Sequence, residues 1–266
     1  MISSAQRSLD ILETVGRSEK PIGVTEVARQ LGSSVGTVFR SLDALESNGY
    51  VARFQSSSRY ILGPSVSRLR QALLSKFALR GVSLPYMRQL AFATGECVSL
   101  TMPVGWYGLR VAAAPGSNAV TSSPPLGDLR ALHETLPGRA ILSALSPEKI
   151  EDYRAWCGTV ETVEVPPVTL ATDLKEIARR GFALEIAAFA QSRAALSFPI
   201  RGSQGPLGAL SIEGPVLRLD AQPEDQELGN WQAVVIALQV IVDSRSGTFI
   251  HPFGHMSPGD IRLTPG

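Results

Sequence analysis

Cysteine, histidine and long apolar runs are what this chain has least of, and each shortage excludes something. Two cysteines, Cys97 and Cys157, occur in 266 residues. With no paired spacing they make neither a disulfide framework nor a zinc ribbon, and both read as buried thiols. Of three histidines, His251 and His255 stand four apart, but Pro252 and Gly254 prevent the helix that would turn them toward one metal. No metal is expected. No apolar run is long enough to span a bilayer, and the start, Met1 to Arg7, lacks the basic-then-apolar pattern of a secretion signal. A cytoplasmic protein with no membrane partner is therefore predicted. Neither a phosphate-binding glycine loop, a nucleophile elbow nor a dinucleotide fingerprint is present. No cofactor and no enzymatic activity are expected.

What is there is a globular chain, 44% hydrophobic and 18% charged, long enough for two domains with separate cores. The net charge of +1 is uneven. Residues 1 to 80 hold 11 basic against 6 acidic residues, net +5, and the remainder holds 14 against 18, net −4. A basic first part joined to an acidic remainder suits a protein whose N-terminal segment alone meets phosphate.

Helical spacing of Leu9, Ile11, Leu12 and Val15 predicts a helix from Ala5 to Val15, with Gly16 and Pro21 beyond its end. A second helix follows over Val24 to Leu31, capped at Thr25 or its neighbour and stopped by Gly32. After Gly32-Ser33-Ser34 a third carries Val35, Val38, Phe39, Leu42 and Leu45 until Asn48-Gly49, and Val35, Val38 and Leu42 read as core. Two strand-like pieces, Tyr50–Phe54 and Arg59–Leu62, flank a polar hairpin loop at Gln55 to Ser58. Three helices and a basic-flanked hairpin make a winged helix-turn-helix over residues 1–63. A linker helix over 64–80, with Val66, Leu69, Leu73, Leu74 and Phe77 left apolar, is expected to pack on another subunit.

From residue 81 the period changes repeatedly. Helices are expected over Leu84–Ala93, Thr135–Ala144, Pro147–Trp156, Asp173–Arg180 and from Pro223 onward. Strands are expected over Glu96–Met102, Tyr107–Ala113, Asn118–Ser122, Phe182–Ile186, Ala194–Ile200 and Leu207–Glu213. This is an α+β domain over 81–246, a mostly antiparallel sheet with helices on it. Residues 247–266, rich in Gly and Pro, read as a flexible tail or an arm held by a partner.

The string Gly32-Ser33-Ser34-Val35-Gly36-Thr37-Val38-Phe39-Arg40-Ser41-Leu42, with Asn48-Gly49-Tyr50-Val51 and Arg59-Tyr60-Ile61-Leu62-Gly63, resembles the DNA-binding half of IclR-type regulators. Leu132-His133-Glu134-Thr135 with Gly138-Arg139-Ala140, then Arg180-Gly181-Phe182-Ala183, Ala209-Leu210-Ser211-Ile212 and Gly214-Pro215, is similar to that family's sensor half, in the same order. The resemblance covers roughly residues 5 to 245. It implies a winged helix-turn-helix and a GAF-like effector-binding domain. It also implies a homodimer or dimer of dimers on palindromic double-stranded operator DNA. Occupancy would be set by a small-molecule effector, an organic acid or aromatic catabolite, and the regulated genes would be a catabolic operon.

In a helix-turn-helix the third helix enters the major groove. Ser33, Ser34, Thr37, Arg40 and Ser41 are therefore candidate DNA contacts, with Arg53 and Arg59 flanking the wing. A lone arginine such as Arg40 is more often a solvated helix residue; its place in this motif reverses that. Alignment to the family puts effector-facing positions on Leu136, Pro137, Glu185, Ala195, Ser211 and Glu213. Relative to the small and hydroxyl side chains of a small-acid sensor, Leu136, Pro137 and Glu213 change size and charge. Two carboxylates facing a cavity repel an anion unless a base such as Arg193 or Arg139 compensates. Otherwise a hydroxylated, amine-bearing or neutral aromatic effector fits better. Both glutamates have the alternative of facing water, and His133 that of a structural histidine. Two other readings stay open: an enzyme using His133 with Glu185 or Glu213, and an oligomerisation domain without ligand.

Overall fold

A computed structural model describes residues 4–55, 57–75, 77–118, 125–160, 163–187, 193–203, 205–215 and 225–245. The chain divides into two compact units, Met1–Lys76 and Phe77–Gly266. The expected linker segment is thus shared between them, and the expected tail lies outside the described residues.

The first unit opens with α1 (Ser4–Arg17), which runs past Val15 through Gly16 because Arg17 suits the helix end and pairs with Glu13 at 3.1 Å. β1 (Ile22–Gly23) leads directly into α2 (Val24–Gln30). Gly23, already extended in the sheet, serves as the N-cap, and the expected side-chain cap at Thr25 is not used. α3 (Val35–Ser47) is capped by the Ser34 hydroxyl, which accepts the Thr37 amide. β2 (Val51–Arg53) and β3 (Arg59–Leu62) form the hairpin, and β1 joins its β3 edge to give the order β1-β3-β2. Ile11, Val15, Ile22, Val27, Ala28, Val38, Leu42, Val51 and Tyr60 close one apolar core. α4 (Pro64–Ser75) is tied to the end of α3, the Ser65 hydroxyl donating to the Asn48 carbonyl at 2.7 Å. Gly49, at φ +74°, allows this approach, since a Cβ there would meet the Ser65 hydroxyl at 2.7 Å. Leu69 and Leu73 of α4 remain exposed.

In the second unit α5 (Ala78–Thr94) begins well before Leu84 and runs through Pro85. β4 (Cys97–Val104), β5 (Tyr107–Ala114) and an edge strand not anticipated from sequence, β6 (Leu129–Ala131), come next. The strand expected over Asn118–Ser122 falls almost wholly outside the described residues. α6 (Leu136–Leu142), α7 (Pro147–Cys157) and α8 (Leu170–Arg180) precede β7 (Ala183–Ala187), β8 (Arg193–Gly202) and β9 (Gly205–Pro215), and α9 (Asp225–Ser244) closes the described chain. The six strands form one antiparallel sheet in the order β6-β5-β4-β9-β8-β7, bearing out the α+β expectation.

Strand alternation gives the sheet two faces. One presents Val98, Leu100, Met102, Leu196, Phe198, Leu210 and Ile212, all buried, and is covered by α5 and α9. The other carries Ala183, Ala195 and Ala209, against which α6 leads a core containing Leu132, Leu136, Ile141, Tyr153, Trp156 and Leu174. Small alanines there let α6 approach closely. The β4–β5 register shifts by one between Leu100 and Thr101, so that Leu100 opposes Ala112 and Thr101 opposes Arg110, with Val111 as the extra residue.

Candidate nucleic-acid interface and effector site

On α3, Val38 and Leu42 are fully buried and the opposite side is open: Gly36, Phe39, Arg40 and Asp43 are exposed. Arg40 has no ion-pair partner among the described residues, so its guanidinium is available to a phosphate or a base edge. Ser34 and Thr37 are joined by their hydroxyls at 2.8 Å in the cap, Ser33 lies against the Leu31 carbonyl at 3.4 Å, and Ser41 is half-buried. The serines therefore shape the helix entry that aims α3. The wing arginines are held in place. Arg53 donates to Glu46 at 3.1 and 3.2 Å and lies over the Tyr60 ring, and the bond to Glu46 raises its already high pKa. Arg59 donates to the Pro21 carbonyl at 2.7 Å and sits 3.7 Å from Glu26. One core expectation is corrected. Val35 is 48% exposed and Phe39 46%, because the core is centred on the Val38–Leu42 stripe of α3 and leaves Val35 and Phe39 at its solvent-facing edge.

The inner face of the second unit's sheet is polar at its centre. Cross-strand pairing sets Cys97, Glu213, Ala195 and Glu185 in one row across β4, β9, β8 and β7. The neighbouring row is Ser99, Ser211, Ser197 and Ala183. Thr101 and Ala209 continue the face, and the bulge brings Arg110 opposite Thr101. Ser99, Thr101, Ser197, Ser211, Glu213 and Arg110 are all buried. The Glu213 carboxylate accepts from Arg110 Nη1 at 2.8 Å and from the Ser99 hydroxyl at 3.1 Å. The Ser197 and Ser211 hydroxyls bond to each other.

The four strand residues expected at the site therefore share one face, and Leu136 and Pro137 are buried at the start of the helix lying against it. Two corrections attach to the carboxylates. The cation that offsets Glu213 is Arg110, reached through the bulge, and Glu213 does not face water. Glu185 is exposed at the sheet edge and pairs with Arg139 from α6. The Arg193 side chain lies outside what is described. Arg110, Ser99, Thr101 and Ser197 were not singled out from sequence. Their signal is polar residues at alternate positions of two apolar strands, Ser99 with Thr101 and Ser211 with Glu213, a single Ser197 on a third, and one arginine inside Gly108-Leu109-Arg110-Val111-Ala112. Alternation alone reads such positions as solvent-facing.

His133 is a structural histidine. Its backbone N–H donates to the Tyr153 hydroxyl at 2.9 Å, and its Nδ1 bonds that same oxygen. Cys157 Sγ lies 4.0 Å from the same nitrogen. Burial pushes the imidazole below its ordinary pKa, lifts the Tyr153 phenol well above its own and raises the Cys157 thiol, so all three are neutral near pH 7. Among the described residues no carboxylate hydrogen-bonds to His133, and no group of acidic, His and Cys side chains could hold a metal.

Comparison with known proteins decides the lineage. The model of the IclR helix-turn-helix domain matches residues 4–53, and that of the bacterial transcriptional regulator IclR C-terminal domain matches 71–238, more than half of the chain. The chain belongs to the IclR family. It is a transcription regulator with an N-terminal helix-turn-helix and a C-terminal effector domain. Among its relatives, the Escherichia coli transcriptional repressor IclR is 24% identical, the match covering 88% of this chain and 86% of that protein. The Streptomyces coelicolor glycerol operon regulatory protein is 29% identical over 84% of this chain and 89% of its own length. An IclR homologue from Microbacterium hydrocarbonoxydans, crystallised with 4-hydroxybenzoate, superposes with a TM-score of 0.72 at 18% identity, covering 90% of this chain and 99% of its own. That likeness concerns the fold alone. No helix among the described residues is long and apolar enough to cross a membrane.

Proposed function

We propose that this IclR-family protein binds palindromic operator DNA through α3 and the β2–β3 wing, as a cytoplasmic homodimer or dimer of dimers. Its occupancy is controlled by a small hydroxylated effector seated on the inner face of the C-terminal sheet. The observation that carries this reading is the buried polar centre of that face: four hydroxyls and an Arg110–Glu213 pair gathered on one side of the sheet. Buried polar groups are expensive and persist where they hold one another or a ligand. Because Arg110 offsets Glu213 and Arg139 offsets Glu185, neither pair adds net charge to the face. A hydroxylated aromatic acid or a polyol suits it better than a small dianion, and the 4-hydroxybenzoate complex of the Microbacterium homologue lies in the first class. Leu69 and Leu73 on α4 supply an apolar stripe for self-association. The domain acts by binding and not by catalysis, in keeping with the family and with a His133 bonded to Tyr153.

The test is binding of the purified protein to DNA from upstream of its own gene, titrated with salt and with a panel of aromatic and aliphatic acids and polyols. Selective binding that weakens with salt and shifts with one compound is expected. Absence of selective binding at low salt, with and without the panel, overturns the reading.

A further inference from the structure

Along the edge of its buried stripe, the exposed surface of α3 carries two apolar side chains where a helix that meets only water and phosphate would carry polar ones. Val35 and Phe39 are four residues apart, on adjacent turns of one helix face, and each is about half exposed, at 48% and 46%. Beside them lie Arg40, which has no ion-pair partner among the described residues, and Gly36, around whose Cα there is open space. A cation and a bare backbone next to an apolar pair suit a surface that meets nucleic acid closely. On the major-groove edge of base pairs the only apolar feature is the thymine 5-methyl group. We propose that Phe39 and Val35 pack on thymine 5-methyl groups of the operator and set its sequence preference there. This rests on the DNA-binding reading above and adds the base and the chemical group read.

The experiment starts from duplexes enriched by the full-length protein from a random-sequence pool. They are resynthesised with deoxyuridine replacing thymidine one position at a time, which removes the methyl group and keeps base pairing. At one or more half-site thymines the replacement is expected to weaken binding about fourfold, the worth of one buried methyl. Phe39→Ala or Val35→Ala should weaken binding to the thymine duplex and lose the discrimination at that position. Phe39→Leu, which keeps an apolar tip, should retain part of it. The slope of affinity against salt should stay unchanged, because no phosphate contact is removed. A thymine-to-uracil penalty that is absent throughout, or identical in wild type and variants, overturns the proposal. So does unchanged discrimination with an altered oligomeric state, which would assign this face to a second copy of the chain. Enriched sequences without thymine dependence remove this inference alone. If no sequence enriches at low salt, the DNA-binding reading fails and takes this inference with it.

Discussion

Arg110 and Glu213 hold each other in a place where neither charge has much water, their side chains being 8% and 7% exposed. Removing one partner leaves the other buried and uncompensated, so Arg110→Met should cost about 3 kcal/mol in urea unfolding. Arg110→Met with Glu213→Leu should recover most of that loss; a double variant as unstable as the single one would refute the pairing argument. His133 gives a pH signature. Its folded-state pKa lies below the unfolded value near 6.5 because burial disfavours the imidazolium. Between those two values the unfolded chain binds more protons, so the contribution is complete above about pH 6.5 and is lost as pH falls through it. His133→Asn, whose Oδ1 can accept from Tyr153, should flatten that part of the stability curve, and an unaltered slope would show that another group is responsible. Single residues were also where the sequence was hardest to read. Val35 reads as core because it stands at helical spacing from Val38 and Leu42, and only the packing shows where on α3 the core stops.

At the level of elements, α6 packs against the proposed effector face. Gly138 lies so close to the chain before it that a Cβ would stand 2.0 Å from the Leu132 carbonyl oxygen. Gly138→Ala must therefore push α6 off its seat, at a cost of about 1–3 kcal/mol. Effector response should suffer while the DNA affinity of the effector-free protein, which depends on the other unit, changes little; equal loss of both would argue against this division. Helices and strands were largely legible, since 3.6 and 2.0 periodicities, caps and glycine stops mark them locally. α3, the wing and the C-terminal strands lie close to where patterning puts them. The two-residue β1 and three-residue β6 were not, because pieces so short carry no period and exist only through a partner strand, β3 and β5. The bulge was invisible for a related reason: register is a property of two strands together.

For the whole molecule, division into two compact units with opposite net charge predicts separable responses. An effector held among the serines of the C-terminal sheet should raise the calorimetric transition of that unit, by about 2.7 kcal/mol at a hundredfold excess over its Kd. Raised salt should weaken DNA binding without moving that transition. If effector and salt shift the same transition together, the two units do not divide the labour in this way. The family and its two-part plan were legible from ordered motifs along the chain, whereas the chemistry of the effector face was not, since Arg110 and Glu213 are 103 residues apart. The extra residue in β5 has a consequence for what each side of the sheet presents. Were Val111 paired regularly with Thr101 instead of bulged, Arg110 would stand across from Met102 and project among the hydrocarbon side chains under α5 and α9. The one-residue offset of pairing at Val111 decides to which side of the sheet the stretch of β5 before it turns each side chain. Pairing register, and not side-chain identity alone, thus decides whether the proposed effector face carries this arginine.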